Sequence, residues 1–324
     1  MRLRLVPQET NFDFFKYRKM TMGISLAAIV ASIVLWLVVG LNFGIDFRGG
    51  TTIRTEAVQP IDVGAYRTAV ETLDLGEVSV IEVFDPNFRD DQNVTMIRIQ
   101  AQDGQESVSG DTIPRVESVL KDVDPSITFT SVESVGPKVS GELIQTAMLA
   151  VLAALAAILI YIWLRFEWQF SVGAVAALFH DVIITIGIFS LLQMRFDLST
   201  IAALLTIVGY SINDTVVIFD RLRENLRKYK TTPLQEVMNK SVNETLSRTL
   251  MTSGTTLLAL IALLIFGGDV IRGFVFAITW GVIVGTYSSV YVAKNVVLML
   301  GVKRDWSKPS EGGGAGTQFG NVDA

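Results

Sequence analysis

Cysteine is absent from the 324 residues and histidine occurs once, as His180. Disulfide frameworks, thiolate metal sites and multi-histidine centres are excluded by that, and no resident metal is expected. Charge is scarce as well: Asp, Glu, Lys and Arg make up 18% of the chain against 50% hydrophobic residues, and the mean hydropathy is +0.45. So little polarity points to lipid as the solvent for much of the chain. The charge present is unevenly placed. Residues 42–140 hold 17 Asp/Glu against 8 Lys/Arg, and the remainder holds 15 against 19, which assigns the two parts to different surroundings.

Long apolar runs, by contrast, are plentiful. A membrane-spanning helix needs about 20 mostly apolar residues, and six segments meet that length, at 21–41, 141–165, 172–192, 197–220, 248–266 and 273–300. The first is longer than a signal-peptide core, and 41–50 after it offers no Ala-x-Ala site, so it reads as a permanent anchor. Lys and Arg near the helix ends set the orientation. Arg2, Arg4, Lys16, Arg18 and Lys19 precede the first span; Arg221, Arg223, Arg227, Lys228, Lys230 and Lys240 fill the connection 221–247; Lys303, Arg304 and Lys308 follow the last span. The opposite short loops hold only Arg195 and Arg272. The segments 1–20 and 301–324 are therefore expected in the cytoplasm, and 42–140 outside.

The outer segment has the pattern of a small α+β domain. Alternating or β-branched runs at 51–56, 78–84, 94–100 and 127–135 enclose helical spacings at 61–73 and 113–123, a βαββαβ order and hence a ferredoxin-like fold. Asp85-Pro86-Asn87 supplies turn chemistry between the middle strands. The glycine-rich tail after Trp306 is expected to be disordered.

Ionisable groups inside a membrane cost about 2.5–3.5 kcal/mol each on insertion scales, so each one is a candidate for function. Asp214, beside Asn213, lies six residues before Asp220, about 9 Å at 1.5 Å per residue, too deep for a short carboxylate to reach water. It reads either as a carboxylate that loads and releases a proton or as a structural hydrogen-bonding group. Arg248, opening the fifth span, is its natural cationic partner, or else an interfacial anchor. Thr252, Ser253, Gly254 and Thr255 form a small polar face that either hydrates a path or lets helices approach. His180 and Asp181 fall near mid-membrane in the third span; adjacent residues diverge by about 100°, so both are not expected to face one partner. They read as a structural bond or as a relay.

Five stretches carry a resemblance: GIDFRGG at 44–50, VGPKVSGEL at 135–143, LFHDVIITIGIFSL at 178–191, GYSINDTVVIFDRLREN at 209–225 and SRTLMTSGTT at 247–256. In order and nearly end to end, they resemble the motifs of the SecF family of bacterial protein-export subunits. That resemblance implies a six-helix half of an RND-type unit in the bacterial inner membrane. The implied partners are SecD, the SecYEG translocon with its associated membrane subunits, and unfolded translocating polypeptides, with no nucleic acid. No cofactor other than protons is implied, and no enzyme activity. Asp214, Arg248 and Asn213 match the positions of proton transport. Gly44, Asp46, Arg48, Gly49 and Gly50 match the root of the periplasmic domain, where the glycines suit a tight turn and Asp46 and Arg48 have the signs of a local pair. Three rivals stand beside this reading: half of an RND-type small-molecule exporter, a non-conducting structural translocon subunit, and a two-aspartate intramembrane hydrolase using Asp181 and Asp214. The hydrolase needs carboxylates sharing one proton, and its flanking motifs are missing.

Overall fold

The computed structural model describes residues 10–76, 78–83, 88–89, 92–100 and 112–302. The turn 85–87 and the tail fall outside them. In chain order the elements are α1 (Arg18–Val38), β1 (Asn42–Phe43), α2 (Ile45–Arg48), β2 (Gly50–Ala57), α3 (Val63–Glu71), β3 (Val78–Val83), β4 (Asn93–Gln100), α4 (Thr112–Val123), β5 (Thr128–Val135), α5 (Pro137–Arg165) and α6 (Trp168–Leu192). After them come β6 (Arg195–Phe196), α7 (Leu198–Lys228), α8 (Leu234–Phe266), α9 (Asp269–Ser288), a π-helical turn (Ser289–Ala293) and α10 (Lys294–Leu300).

Six of these helical stretches are long and apolar enough to cross a membrane, the sixth being α9 continued through the π turn into α10. That sixth span is the hub, since 67% of its apolar window is buried against 11% for α1 and for α5. The segment 221–247, read from sequence as a connection, is mostly helix. Its charged residues pair within the chain and prolong α7 and α8 beyond the apolar run: Arg221 Nε donates to Glu244 Oε2 at 2.6 Å, and Asn225 Nδ2 to the same oxygen at 2.7 Å.

Small residues set how closely the helices approach, because lipid offers no hydrophobic push between them. A Cβ on Gly281 of α9 would stand 2.2 Å from Ile207 Cγ1 of α7, and one on Gly187 of α6 would stand 2.2 Å from Ser32 Oγ of α1. Below the bundle the N-terminal strap is tied to α8. Phe12 N donates to Asn243 Oδ1 at 2.8 Å, Phe14 N to Asn239 Oδ1 at 2.9 Å, and the buried Lys294 donates to Phe14 O at 3.2 Å.

The sheet domain runs β2-α3-β3-β4-α4-β5, with strand order β3-β4-β2-β5 and antiparallel pairs throughout. Ile53 of β2 lies opposite Ile97 of β4. Both are 0% exposed, and with Val80, Ile99, Tyr66, Val70, Val116 and Leu120 they make one core between the sheet and the two helices. The other sheet face looks onto the bundle, where Arg195 Nη1 reaches Met96 Sδ at 3.7 Å.

Tyr66 donates to Asp124 Oδ2 at 3.2 Å beside that core. Burial, then the Asp124 carboxylate, pushes the Tyr66 phenol up. Burial also pushes Asp124 up, but bonds from Ser126 and Tyr66 outweigh it and hold the carboxyl below its usual 3.8. A lowered folded-state value stabilises the fold above the ordinary one and ceases to do so as pH falls through it. Tyr66→Phe should therefore destabilise the sheet domain by about 1 kcal/mol at neutral pH, read as faster hydrogen exchange in β2 and β4. The difference from the parent should shrink as pH drops below 3.8. In the bundle, Gly281→Ala should cost about 1–3 kcal/mol by overpacking α9 on α7, measured by thermal unfolding in detergent.

Candidate functional site: a polar layer inside the bundle

Two buried carboxylates occupy the middle of the bundle in contrasting surroundings. Asp214 on α7 is 3% exposed and Asp181 on α6 is 0% exposed. Asp181 gathers three donors: His180 Nδ1 lies 2.9 Å from Oδ1, and Ser211 Oγ on α7 and Ser288 Oγ on α9 donate to Oδ2 at 2.6 and 2.8 Å. Asp214 has one among the described residues, Ser253 Oγ of α8, at 3.5 Å. Even that donor is contested. Thr286 donates its hydroxyl proton to Val282 O at 2.7 Å, so the 2.7 Å contact between Ser253 and Thr286 draws on the single Ser253 proton.

His180 and Asp181 share no third partner and meet each other instead. The imidazole turns back along the helix so that Nδ1 meets the next residue's carboxylate, and the ring stacks on Tyr287 with centroids 5.9 Å apart. The difference in depth between the carboxylates is smaller than expected. Ser211, bonded to Asp181, is only three residues from Asp214, about 4.5 Å of helix rise. Asp214 still lies six residues inside Asp220, which pairs with Arg165 of α5 at 2.8 Å. Asp181 and Asp214 share no hydrogen bond, so the shared proton that an aspartyl hydrolase needs is not there.

Arg248 makes no direct ion pair with Asp214 and is exposed. The reason is helical phase: Ser253 faces inward, and Arg248, five residues earlier, points about 140° away. Asn213 is likewise exposed, with no hydrogen bond among the described residues. Thr252 bonds back to its own helix, at Arg248 O (3.1 Å) and Thr249 O (3.0 Å). Sequence reading did not single out Ser211, Ser288, Thr286 or Tyr287, since a hydroxyl in an apolar span is too common to mark a site. No group of three or more His, Cys, Asp and Glu side chains fit to hold a metal occurs among the described residues.

The root of the sheet domain is a second construction. Gly49 and Gly50 take φ of +72° and +129°, turning α2 into β2. Upstream, β1 pairs in parallel with β6, Asn42 opposite Arg195 and Phe43 opposite Phe196, and Gly44 N donates to Phe196 O at 2.8 Å. Asp46 does not pair with Arg48. Its Oδ2 accepts from Leu198 N at 3.1 Å, at the start of α7, beside the Asp197 cap on Thr200 N at 3.0 Å. The expected local pair is overridden because the unpaired N–H groups of a helix start attract a carboxylate. One helix, α7, thus runs from the domain root to Ser211 and Asp214.

Comparison with known proteins decides the family. Residues 115–303 match the family described as protein export membrane protein SecD/SecF, C-terminal, and residues 34–61 match the SecD/SecF GG motif. Protein translocase subunit SecF of Cereibacter sphaeroides is 67% identical over 323 residues, covering 100% of this chain and 99% of that one. SecF of Rhodobacter capsulatus is 63% identical over 313 residues, covering 95% and 94%. The chain belongs to the SecF family. As a SecF protein with six apolar helices it is a multi-pass inner-membrane subunit of the protein translocase. Among solved structures, SecDF of Thermus thermophilus, a translocon-associated membrane protein, matches with TM-score 0.82 and 36% identity over 93% of this chain. A SecDF structure in a super-membrane-facing form matches with TM-score 0.67 and 37% identity over 92%. This SecF chain spans 40% of the length of each SecDF chain.

Loss of the cross-connection at the root should be measurable. Asp46→Ala should weaken the start of α7 by about 1 kcal/mol, seen as faster hydrogen exchange at residues 198–201 with the sheet domain still folded.

Proposed function

We propose that this SecF chain pairs with SecD to form an RND-type unit that uses proton-motive force to assist export through SecYEG, with Asp214 as its proton carrier. The observation that carries the reading is the poverty of contacts around Asp214: a carboxylate 3% exposed within an apolar helix, with a single hydrogen bond of 3.5 Å. A structural aspartate in lipid is expected to be held as Asp181 is, by several short bonds.

The seat for SecD follows from the outer face of α7. Ser199, Ala202, Thr206, Gly209 and Asn213 are exposed there at helical spacing, a small and polar stripe suited to a neighbouring helix rather than to lipid chains. Asn213 and the exposed Arg248 then meet SecD, which on the family resemblance supplies a further carboxylate.

The sheet domain, with its ferredoxin-like order and acidic balance, is assigned to the periplasm, with both termini cytoplasmic, and contacts unfolded chains. Its motion is linked to Asp214 through the root, because Asp46 holds the first residue of α7. A small-molecule exporter is less well supported. The cleft between the sheet face and the bundle, about 350 Å³, mixes Ile81, Val83, Met96, Met194 and Phe274 with Arg98, Arg195, Asp197 and Arg272, so charged side chains interrupt the apolar lining that an apolar ligand needs.

Asp214→Asn in vesicles holding SecF with SecD should assemble normally and reduce proton flux and export stimulation to the background of empty vesicles. Wild-type flux would leave Asp214 a structural residue. A disulfide engineered between the sheet face and the 194–199 segment should stop flux until reductant is added. The chain has no cysteine to compete, and undiminished flux in the crosslinked state would separate the domain from the carboxylate.

A further inference from the structure

His180 is 2% exposed, and its Nε2 atom has no hydrogen-bond partner among the described residues. The other ring nitrogen is fully committed to Asp181 at 2.9 Å. An orphaned ring nitrogen in the core of a membrane bundle is costly whether it is bare or protonated, so its persistence beside a well-held carboxylate calls for an explanation.

Counting protons defines the states of the dyad. While Ser211 and Ser288 both donate to Asp181 Oδ2, that oxygen carries no proton and one proton lies between Nδ1 and Oδ1; Ser288 has Gly285 O at 3.2 Å as its other acceptor. With Nε2 bare, the pair carries a net charge of −1 inside the bundle, whichever of the two atoms holds the shared proton. With Nε2 protonated, the pair is neutral but exposes an unpartnered N–H to its surroundings. Each state carries one cost, an uncompensated charge or an unsatisfied donor, and neither is locked by the protein.

No nearby group settles the balance. The titratable and charged groups on the elements packed around α6 are Tyr210 and Asp214 on α7, Tyr287 on α9, Tyr291 in the π turn and Lys294 on α10, and, toward the helix ends, Arg18 and Lys19 on α1, Tyr161 and Arg165 on α5, the charged residues from Asp220 onward on α7 and Arg272 on α9. Tyr287 donates to Thr21 O at 3.0 Å, Asp214 is bonded to Ser253, and Lys294 is turned to Phe14 O. The buried α1 side chains on this side are Ser25 and Ser32, which are uncharged.

We propose that His180 is a second proton-holding site of the bundle, loaded and emptied at Nε2 while Asp181 holds the ring through Nδ1. Loading forms one N–H bond with a proton delivered by water, and emptying returns it to water; nothing else is made or broken. The proposal rests on the proton-driven reading above and adds a site to it. Its link to Asp214 is geometric. Ser211, held by Asp181, is one turn from Asp214 on α7, and Ser288, also held by Asp181, is two residues from Thr286, which contacts the sole donor to Asp214. Ser288 also directly precedes the π turn, the kind of helical irregularity that concentrates at functional sites. A change of charge at the dyad therefore acts on both helices that frame Asp214.

Because His180 is the only histidine in the chain, its state can be read directly. The SecF chain is labelled with 15N-histidine, purified through a tag free of histidine and reconstituted with unlabelled SecD. Ring-nitrogen NMR then reports this residue alone. The expected result is one bare and one protonated nitrogen at about pH 9, with the bare one converting to protonated by about pH 5. His180→Asn, whose amide keeps a donor toward Asp181, should assemble and shift the pH of half-maximal flux by about one unit or more. A ring that keeps one form across that range, or an unchanged flux profile in His180→Asn, would overturn the proposal. Asp214→Asn in the labelled complex separates the two readings. If it abolishes flux while His180 never changes form, only the second site fails; if it transports normally, the Asp214 reading fails whatever the spectrum shows.

Discussion

A carboxylate taken out of water must be held by donors from the protein, and in a membrane bundle this requirement governs where everything else goes. Asp181 meets it with His180, Ser211 and Ser288. Those bonds come from two neighbouring helices as well as its own, so α6, α7 and α9 are fixed in rotation by one side chain. The close contacts fit that arrangement, since Gly285 of α9 passes over Ser211, where a Cβ would stand 3.1 Å from Ser211 Cβ. Asp214 is left comparatively undersupplied in the same region. The contrast is informative: the bundle can saturate a buried carboxylate, and it does so one turn away from one that it does not.

The second organising feature is the reach of α7. At 31 residues it is about 46 Å long, well beyond the roughly 30 Å of a bilayer core. One end is capped by Asp197 and by Asp46 from the domain root, and the other is tied to α8 through Arg221 and Glu244. A movement of the sheet domain on β1 and β6 would therefore pull on the element that carries Ser211 and Asp214. A loop in the same place would absorb that movement.

Much of this architecture was legible in the sequence because it follows from composition and period. Six apolar runs give six long helices, and β-branched alternation gives the four strands of the sheet. What escaped prediction was settled by tertiary partners. Residues 221–247 look like a polar connection, yet Arg221, Asn225, Ser241 and Glu244 satisfy one another and hold two helices together. Asp46 and Arg48 have the right signs to pair, but the start of α7 competes for Asp46 and holds it. The inward orientation of Asp214 could be argued from cost alone. That of Arg248 could not, because both an inward and an outward arginine are acceptable near an interface, and only the phase of α8 decides between them.

The outward placement of Arg248 and Asn213 gives the bundle its asymmetry. A polar stripe along α7 suits a second protein better than lipid chains, whereas the guanidinium on α8, near the interface, is acceptable against either. The interior follows the opposite policy, with buried polar atoms mostly bonded within the chain. The exceptions in the bundle are spread over it: Gln169 Oε1 and His180 Nε2 on α6, Arg223 Nε on α7, Thr249 Oγ1 on α8, and Trp280 Nε1 with both side-chain atoms of Asn295 in the sixth span. That span is also the one interrupted by the π turn, where the regular backbone pattern is already broken. The π turn directly follows Ser288, so this break stands next to a donor of Asp181, at the kind of irregularity that concentrates at functional sites.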